Sequence, residues 1–506
     1  MRVVTGKEMQ LIEGRTRETL GVSSLVLMEN AGSRIVEVLK QEYGSLQQKR
    51  IHILTGMGNN GGDGLVVARQ LLLQGARPKV YLIGNPHKSS PEHRTNLEIL
   101  QKLGADLASV ELGQLAKLKF SLNLADLIID AIFGTGFQGA LSPELAALVN
   151  LVNDLERPLV AVDVPSGVDA CTGQVESTAL RADLTINLGL LKTGCLLYPG
   201  QAYAGKNVVV DLGFPLDPVV GIPRYLLGQE TLGLLPARVP WGHKSTFGHI
   251  LVVGGSKDYV GAPALCGHAV LRGGGGMVTV AVPKGIASRF RPDELIVVPL
   301  AENQEGYLGE DSLPQLQELL QNKDVLVVGP GLGNHPDAVG TVLELLKFWT
   351  GPTVIDADAL RALTADFLDS LPFVQRQQWI ITPHPGEMAR LVHSDASQIN
   401  ANRLGVAHDF AKKWGVKVVL KGAPTIITDG ENTYINSTGN HGLATAGTGD
   451  VLAGLIGALL AQGLGPLEAG LCGVYAHGAA GDLAASQGAR GLVASDCLDK
   501  LQEILS

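Results

Sequence analysis

Ala446-Gly447-Thr448-Gly449-Asp450, followed without a break by VLAGLIGALLAQG (451–463), joins a turn of small residues to a strongly apolar helical segment. Small residues let backbone N–H groups point into a site, and the helix that follows adds the positive end of its dipole, so the junction suits phosphate oxygens. Asp450 at the mouth of that helix is placed to accept a proton from a hydroxyl that receives a phosphoryl group. The plain alternative for Asp450 is an N-cap of a buried helix. The apolar segment, expected as a helix over 451–464, is too short and too glycine-rich for a membrane span, which needs about 20 predominantly apolar residues.

Working outward, the second half alternates apolar runs with helical stretches: HILVVGGS, MVTVAVP, DVLVVGPGLG, PTVIDADAL, QWIITPHPGE and VKVVLKGAPT. The first half does the same with RIHILTG, PKVYLIG, LADLIIDAIFG and PLVAVDVPSG, with a helix expected over 65–74. Such alternation indicates parallel sheets covered by helices, with ligands gathered at the C-terminal strand ends. Between the halves, GFPLDPVVGIPRYLLGQETLGLLPARVP (213–240) is rich in Pro and Gly and lacks a long periodic element. The chain therefore reads as two α/β domains, residues 1–217 and 224–506, whose differing motifs mark a fusion rather than a duplication. A length of 506 residues also exceeds what one core usually supports.

Three further loops of the second half end strands with polar or glycine-rich turns. Lys421 and Gly422 in VVLKGAPT suit contact with nucleotide phosphate or ribose. VVGPGLG (327–333) permits close backbone approach, and TPHPGEMARL (382–391) holds His384 between two prolines. In the first half, GMGNNGGDGLVVAR (56–69) follows a strand but departs from the GxGxxG spacing of a dinucleotide fingerprint. A tight turn capped by Asp63 is the plain alternative. DAIFGTGFQGAL (130–141) and AVDVPSGVDACTG (161–173) add Asp130, Asp163, Ser166 and Asp169. Carboxylate, amide and hydroxyl oxygens without a His or Cys cluster favour a hard, monovalent cation over zinc; turn capping or a structural hydrogen bond is the alternative for both Asp130 and Asp163.

The series HKSTFGHILVVGGS, YVGAP, VVGPGLG, VIDADAL, TPHPGE, KGAPT and NSTGNHGLATAGTGDVLAG, from His243 onward, resembles the C-terminal domain of the YjeF-type NAD(P)HX dehydratases, of ribokinase-like α/β fold. His441 and Ala446 depart from the commoner Pro and Gly of that pattern. The resemblance implies that Lys421, Gly422, Ala423, Pro424, Thr425 and Gly449 contact an adenine nucleotide. It also implies that Ala262, Gly331, His384 and Asp450 contact the hydrated cofactor, with ADP as phosphoryl donor, although no residue excludes ATP; Mg²⁺ is expected for phosphoryl transfer in general. LMENAG (27–32), NNGGDG, DAIFGTG, DVPSGVDA and NLGLLKTG (187–194) resemble the YjeF N-terminal NAD(P)HX epimerase domain, a Rossmann-like three-layer α/β/α fold. Carried over, Asn59, Asn60, Gly61, Gly62, Asp63, Gly134, Thr135, Gly136, Phe137, Gln138, Gly139, Ala140 and Asp163 hold substrate, and Asn60, Asp130 and Ser166 hold K⁺. Asp163 is the candidate acid/base, and Asp450 the catalytic base of the second domain.

The resemblance thus implies repair of NADHX and NADPHX: epimerisation of the R and S forms, and dehydration of the S form with AMP and phosphate as by-products. The competing enzymatic reading is a ribokinase-like kinase of a vitamin precursor with an accessory nucleotide-binding N-terminal domain; a non-catalytic sensing module is the competing reading of the first half. A net charge of -9 without a basic stripe disfavours nucleic acid. Five scattered cysteines without CxxC spacing, and no apolar leader at the N-terminus, point to a reducing, cytoplasmic setting with no membrane partner. A homo-oligomer is expected, as for many soluble enzymes.

Overall fold

The apolar runs become strands and the amphipathic segments between them become helices, in a computed structural model that describes residues 1–113, 115–214, 221, 223–291 and 294–506. The chain divides into two compact units, Arg2–Pro223 and Arg224–Ser506 together with Met1. Of the expected domain limits, 217 lies outside the described residues and 224 opens a strand.

The first unit contains β1 (Arg2–Val4), β2 (Arg50–Thr55), β3 (Arg77–Leu82), β4 (Asp106–Ser109), β5 (Leu127–Ala131), β6 (Leu159–Val162), β7 (Leu184–Leu188), β8 (Leu191–Lys192) and β9 (Lys206–Val210). Its main sheet runs β4-β3-β2-β5-β6-β7-β9, parallel throughout. Both faces are covered. Leu127, Ile129 and Ala131 of β5 join a core built with the helices Ser24–Tyr43 and Asn59–Leu73, while Ile128 points to the opposite core, with Leu148 and Val149 of the helix Pro143–Asn153. This is the three-layer arrangement expected, because every second residue of a buried strand serves each face. The order reverses between β2 and β5, so the crevice beyond their C-terminal ends is the natural ligand site.

The helix after β2 begins at Asn59, six residues before the expected start. Glycines that read as a loop are instead the first turn, and their lack of a side chain serves packing. A Cβ on Gly61 would lie 1.8 Å from the Gly56 carbonyl oxygen, closer than any real contact.

The second unit contains β10 (Arg224–Leu226), β11 (His249–Val253), β12 (Met277–Pro283), β13 (Ile296–Leu300), β14 (Val325–Val328), β15 (Thr353–Ile355), β16 (Trp379–Ile381), β17 (Lys417–Leu420), β18 (Ile426–Thr428) and β19 (Thr433–Ile435). Its strands run β13-β12-β11-β14-β15-β16-β17-β18-β19-β10, parallel except where β18 pairs antiparallel with β17 and β19. The reversal falls between β11 and β14. One face packs on the helices Gly261–Arg272, Thr448–Ala461, Pro466–Ala484 and Ala494–Ile504. The apolar segment after AGTGD is therefore a buried core helix, beginning at Thr448 rather than Val451. Among the described residues no helix is long and apolar enough to cross a membrane.

Candidate active sites

In the first unit a cavity of about 880 Å³ opens at the reversal point, lined by Asn59, Asn60 and Asp63 after β2, by Phe133 to Gln138 after β5, and by Asp163 after β6. Gly139 and Ala140, expected to bind substrate, are not among its lining residues; neither are Gly61 and Gly62, which are buried beneath it. Asp163 sits at φ 71°, a left-handed conformation costly for a residue with a side chain and more often found at functional positions. Its Oδ1 accepts from Lys192 Nζ and from the Leu188 N–H, the latter at 3.2 Å. Lys192 is fully buried and also donates to the Leu188 carbonyl at 2.6 Å. Asp163 Oδ2 turns toward the glycine loop: a Cβ on Gly134 would lie 3.2 Å from it and from Asn60 Oδ1.

Two acids neighbour this ion pair. Burial, reinforced by the Asp163 charge, raises the Glu13 pKa to about 7 against the pull of Lys192 and Arg17. Burial, with Asp163 and Glu13, holds the Asp63 pKa well above the carboxylate range. Asp63 does not cap its helix, whose N-cap is Gly58 with no side-chain bond, so the plain alternative for that residue is set aside.

The three residues expected at K⁺ surround the Phe133 peptide. Asn60 Nδ2 donates to the Phe133 carbonyl at 2.8 Å, and the Phe133 N–H donates to Ser166 Oγ at 2.9 Å. Fully buried Asp130 accepts from Ser166 N–H at 2.7 Å, Ser166 Oγ at 2.6 Å and Ile132 N–H at 3.1 Å. Burial outweighs those bonds and raises its pKa to about 6. The structural hydrogen bonds foreseen as the alternative for Asp130 are thus present.

In the second unit the strand ends are joined by glycines. A Cβ on Gly329 (φ 125°) would lie 1.8 Å from the Asp356 carbonyl oxygen, so the loop after β14 rests directly on the end of β15. Asp356 Oδ1 accepts from Lys421 Nζ at 2.7 Å and from Thr382 Oγ1 at 2.7 Å, tying together the ends of β15, β16 and β17. Burial works against the Lys421 charge, yet Asp356, Glu387 and Asp450 together raise its pKa above the ordinary lysine value. A Cβ on Gly449 would lie 3.3 Å from Lys421 Nζ, which brings KGAPT and AGTGD together as expected. Gly331 and Ala262 also meet: a Cβ on the glycine would lie 3.1 Å from the Ala262 Cβ.

Asp450 is not the N-cap. That position is Gly447, at φ 92° with no side-chain bond, and Asp450 lies in the first helical turn. Burial and the Asp356 charge raise its pKa to about 7, partly offset by Lys421. His384 caps the helix Pro385–Leu391: Nδ1 accepts from the Gly386 N–H at 3.0 Å, and its half-exposed ring leaves Nε2 beside Glu387 Oε1 at 3.4 Å. In KGAPT the Ala423–Pro424 peptide is cis and Thr425 Oγ1 donates to the Gly422 carbonyl at 3.1 Å. Among the described residues no cluster of three or more His, Cys, Asp or Glu could hold a metal ion.

Lys192, Glu13 and Asp356 were not singled out from the sequence. Lys192 carried a signal, since a lysine inside the apolar run LGLLKTGCLL must be paired if it is buried. Glu13 carried none.

Comparison with known proteins follows the same division. The family model described as NAD(P)H-hydrate dehydratase matches residues 250–503, and that described as YjeF-related protein N-terminus matches residues 24–194. A bifunctional NAD(P)H-hydrate repair enzyme of Moorella thermoacetica is 44% identical, covering 100% of this chain and 97% of the relative. One of the same name from Thermofilum pendens is 36% identical over 100% of this chain and 96% of its own. Among solved structures, an ADP/ATP-dependent NAD(P)H-hydrate dehydratase from Bacillus subtilis is 27% identical, with a TM-score of 0.49, covering 56% of this chain and 98% of that one. Two α/β units, each with its own strand-end site and each matched by its own family model, make this chain a member of the bifunctional NAD(P)H-hydrate repair enzyme family.

Proposed function

We propose that the chain restores hydrated NADH and NADPH, with an epimerase in residues 1–217 and an ADP-dependent dehydratase in residues 224–506. The observation that carries the second activity is the Asp450 carboxylate, seated in the first turn of a helix whose N-terminal amides suit phosphate oxygens and within the field of Lys421. The substrate carries a hydroxyl on nicotinamide carbon 6, beside the ring nitrogen. Asp450 takes the hydroxyl proton as the oxygen attacks the terminal phosphorus of ADP and AMP leaves. The ring-nitrogen lone pair then expels phosphate, a better leaving group than hydroxide, and loss of a carbon-5 proton restores the dihydropyridine. Lys421, held by Asp356, stands where it can neutralise charge developing on the phosphoryl group. Ala423 to Thr425 and Gly449 hold the nucleotide, while Ala262, Gly331 and His384 hold the hydrated cofactor.

Mg²⁺ would be held chiefly by the nucleotide phosphates and would supply charge neutralisation at those oxygens. Mg²⁺ commonly rests on substrate phosphates with one or two carboxylates rather than in an all-protein cage. In the first unit, the buried Asp130 carboxylate with Asn60, Ser166 and the Phe133 carbonyl is an all-oxygen set that fits K⁺. Asp163 is the acid/base of epimerisation. Five unpaired cysteines support a reducing, cytoplasmic setting.

Product identity tests the reading against a vitamin-precursor kinase. Incubation of S-NADHX with ADP is expected to yield NADH absorbance, AMP and phosphate in equal amounts. A stable phosphorylated product would assign the site to a kinase instead.

A further inference from the structure

We infer that Glu13 is a second proton-transfer residue of the epimerase site, working in the same cavity as Asp163; this rests on the epimerase reading above. Glu13 belongs to the helix Gly6–Leu20, which lies wholly ahead of the 24–194 segment matched by the family model. That helix nevertheless lines the cavity with Gln10, Glu13 and Arg17.

Its placement is built, not incidental. β1 pairs in parallel with β8, setting Val4 beside Lys192, the partner of Asp163. Thr5 then opens the helix with a capping box, its Oγ1 accepting from the Glu8 N–H at 3.2 Å and its own N–H donating to Glu8 Oε2 at 2.8 Å. Gly6 follows in close contact with the substrate loop: a Cβ there would lie 2.8 Å from the Ala170 Cβ and 3.1 Å from the Thr135 carbonyl oxygen. Two turns later Glu13 reaches the cavity wall. Among the described residues no donor hydrogen-bonds its carboxyl, so it has no evident structural task. The charged groups that act on it are Asp163, Lys192 and Arg17, and it acts in turn on Asp63. Near neutrality a large fraction of Glu13 still holds its proton, in the cavity that it shares with Asp163, itself paired to Lys192. That is the division of labour that acid–base catalysis requires.

The proton accounting closes. Asp163 removes the carbon-6 hydroxyl proton, the oxygen pair forms a carbonyl, and the bond from carbon 6 to the ring nitrogen breaks. Glu13 gives its proton to that nitrogen. Rotation presents the other carbonyl face, the nitrogen adds back while returning its proton to Glu13, and Asp163 returns its proton to the oxygen. Nothing is gained or lost.

The experiment measures interconversion of R- and S-NADHX by the full-length chain and by Glu13→Gln and Glu13→Asp variants across pH. For Glu13→Gln the expected result is a fall in kcat of roughly 10²-fold or more with KM little changed. The wild-type decline in rate above about pH 7, where Glu13 ionises, should disappear in Glu13→Gln and persist in Glu13→Asp. A Glu13→Gln variant that keeps the wild-type rate and the same alkaline decline would overturn the assignment. Failure of the parent reading looks different: the wild type would then interconvert the epimers no faster than an Asp163→Asn variant.

Discussion

Asp450 and Lys192 are each a charged group in an apolar setting, and each makes a prediction at the scale of one side chain. As the proposed base, Asp450 must lose its proton before it can accept another, and burial beside Asp356 holds its pKa near 7. Because that pKa is raised, the unreactive protonated form persists to neutral pH. Dehydration kcat/KM in the free enzyme should therefore climb about tenfold per pH unit up to about 7 and level off above it. A pH–rate profile of S-NADHX dehydration checks this. Lys192 is fully buried, and its partner Asp163 is nearly so. Removing one member of such a pair strands the other charge, so Lys192→Met should destabilise the protein by about 3–5 kcal/mol. In urea melts the double variant with Asp163→Asn should recover part of that loss, because the stranded carboxylate is gone.

At the scale of elements, the second site depends on how closely two helices approach. A Cβ on Gly454 would lie 2.1 Å from the Cys266 carbonyl oxygen, so the helix Thr448–Ala461 rests directly on Gly261–Arg272. Gly454→Val should push the first helix outward, carry Asp450 with it, and cut dehydratase kcat by roughly 10²-fold, since misplacements of about 1 Å can cost that much. Epimerase rates measured on the same sample should stay at the wild-type level. The elements themselves were legible. Strand-helix alternation announced both parallel sheets, the polar strand ends pointed to Lys421, Asp163 and Asp130, and the AGTGD junction pointed to Asp450. Glycine obscured the helix starts, because NNGGDG and AGTGD look like loops while their glycines serve close packing and tight turns. Glu13 and the link from Asp356 to Lys421 were illegible for another reason: they arise from tertiary juxtaposition of segments with no shared local pattern.

For the whole molecule, two unlike α/β units on one chain make chemical sense if one supplies what the other consumes. Spontaneous hydration gives both epimers, the dehydratase takes one, and an epimerase on the same chain converts the rest. In the proposed dehydration, the Asp450 carboxylate at the start of the helix Thr448–Ala461 turns a hydroxyl into a departing phosphate. The most direct measurement is the rate of S-NADHX dehydration with ADP by the full-length chain and its Asp450→Asn variant, with R/S interconversion followed in the same samples. The variant should lose roughly 10³-fold or more of its dehydration rate while interconverting the epimers as fast as the wild type. An Asp450→Asn protein that still forms NADH within a few-fold of the wild-type rate would contradict the account.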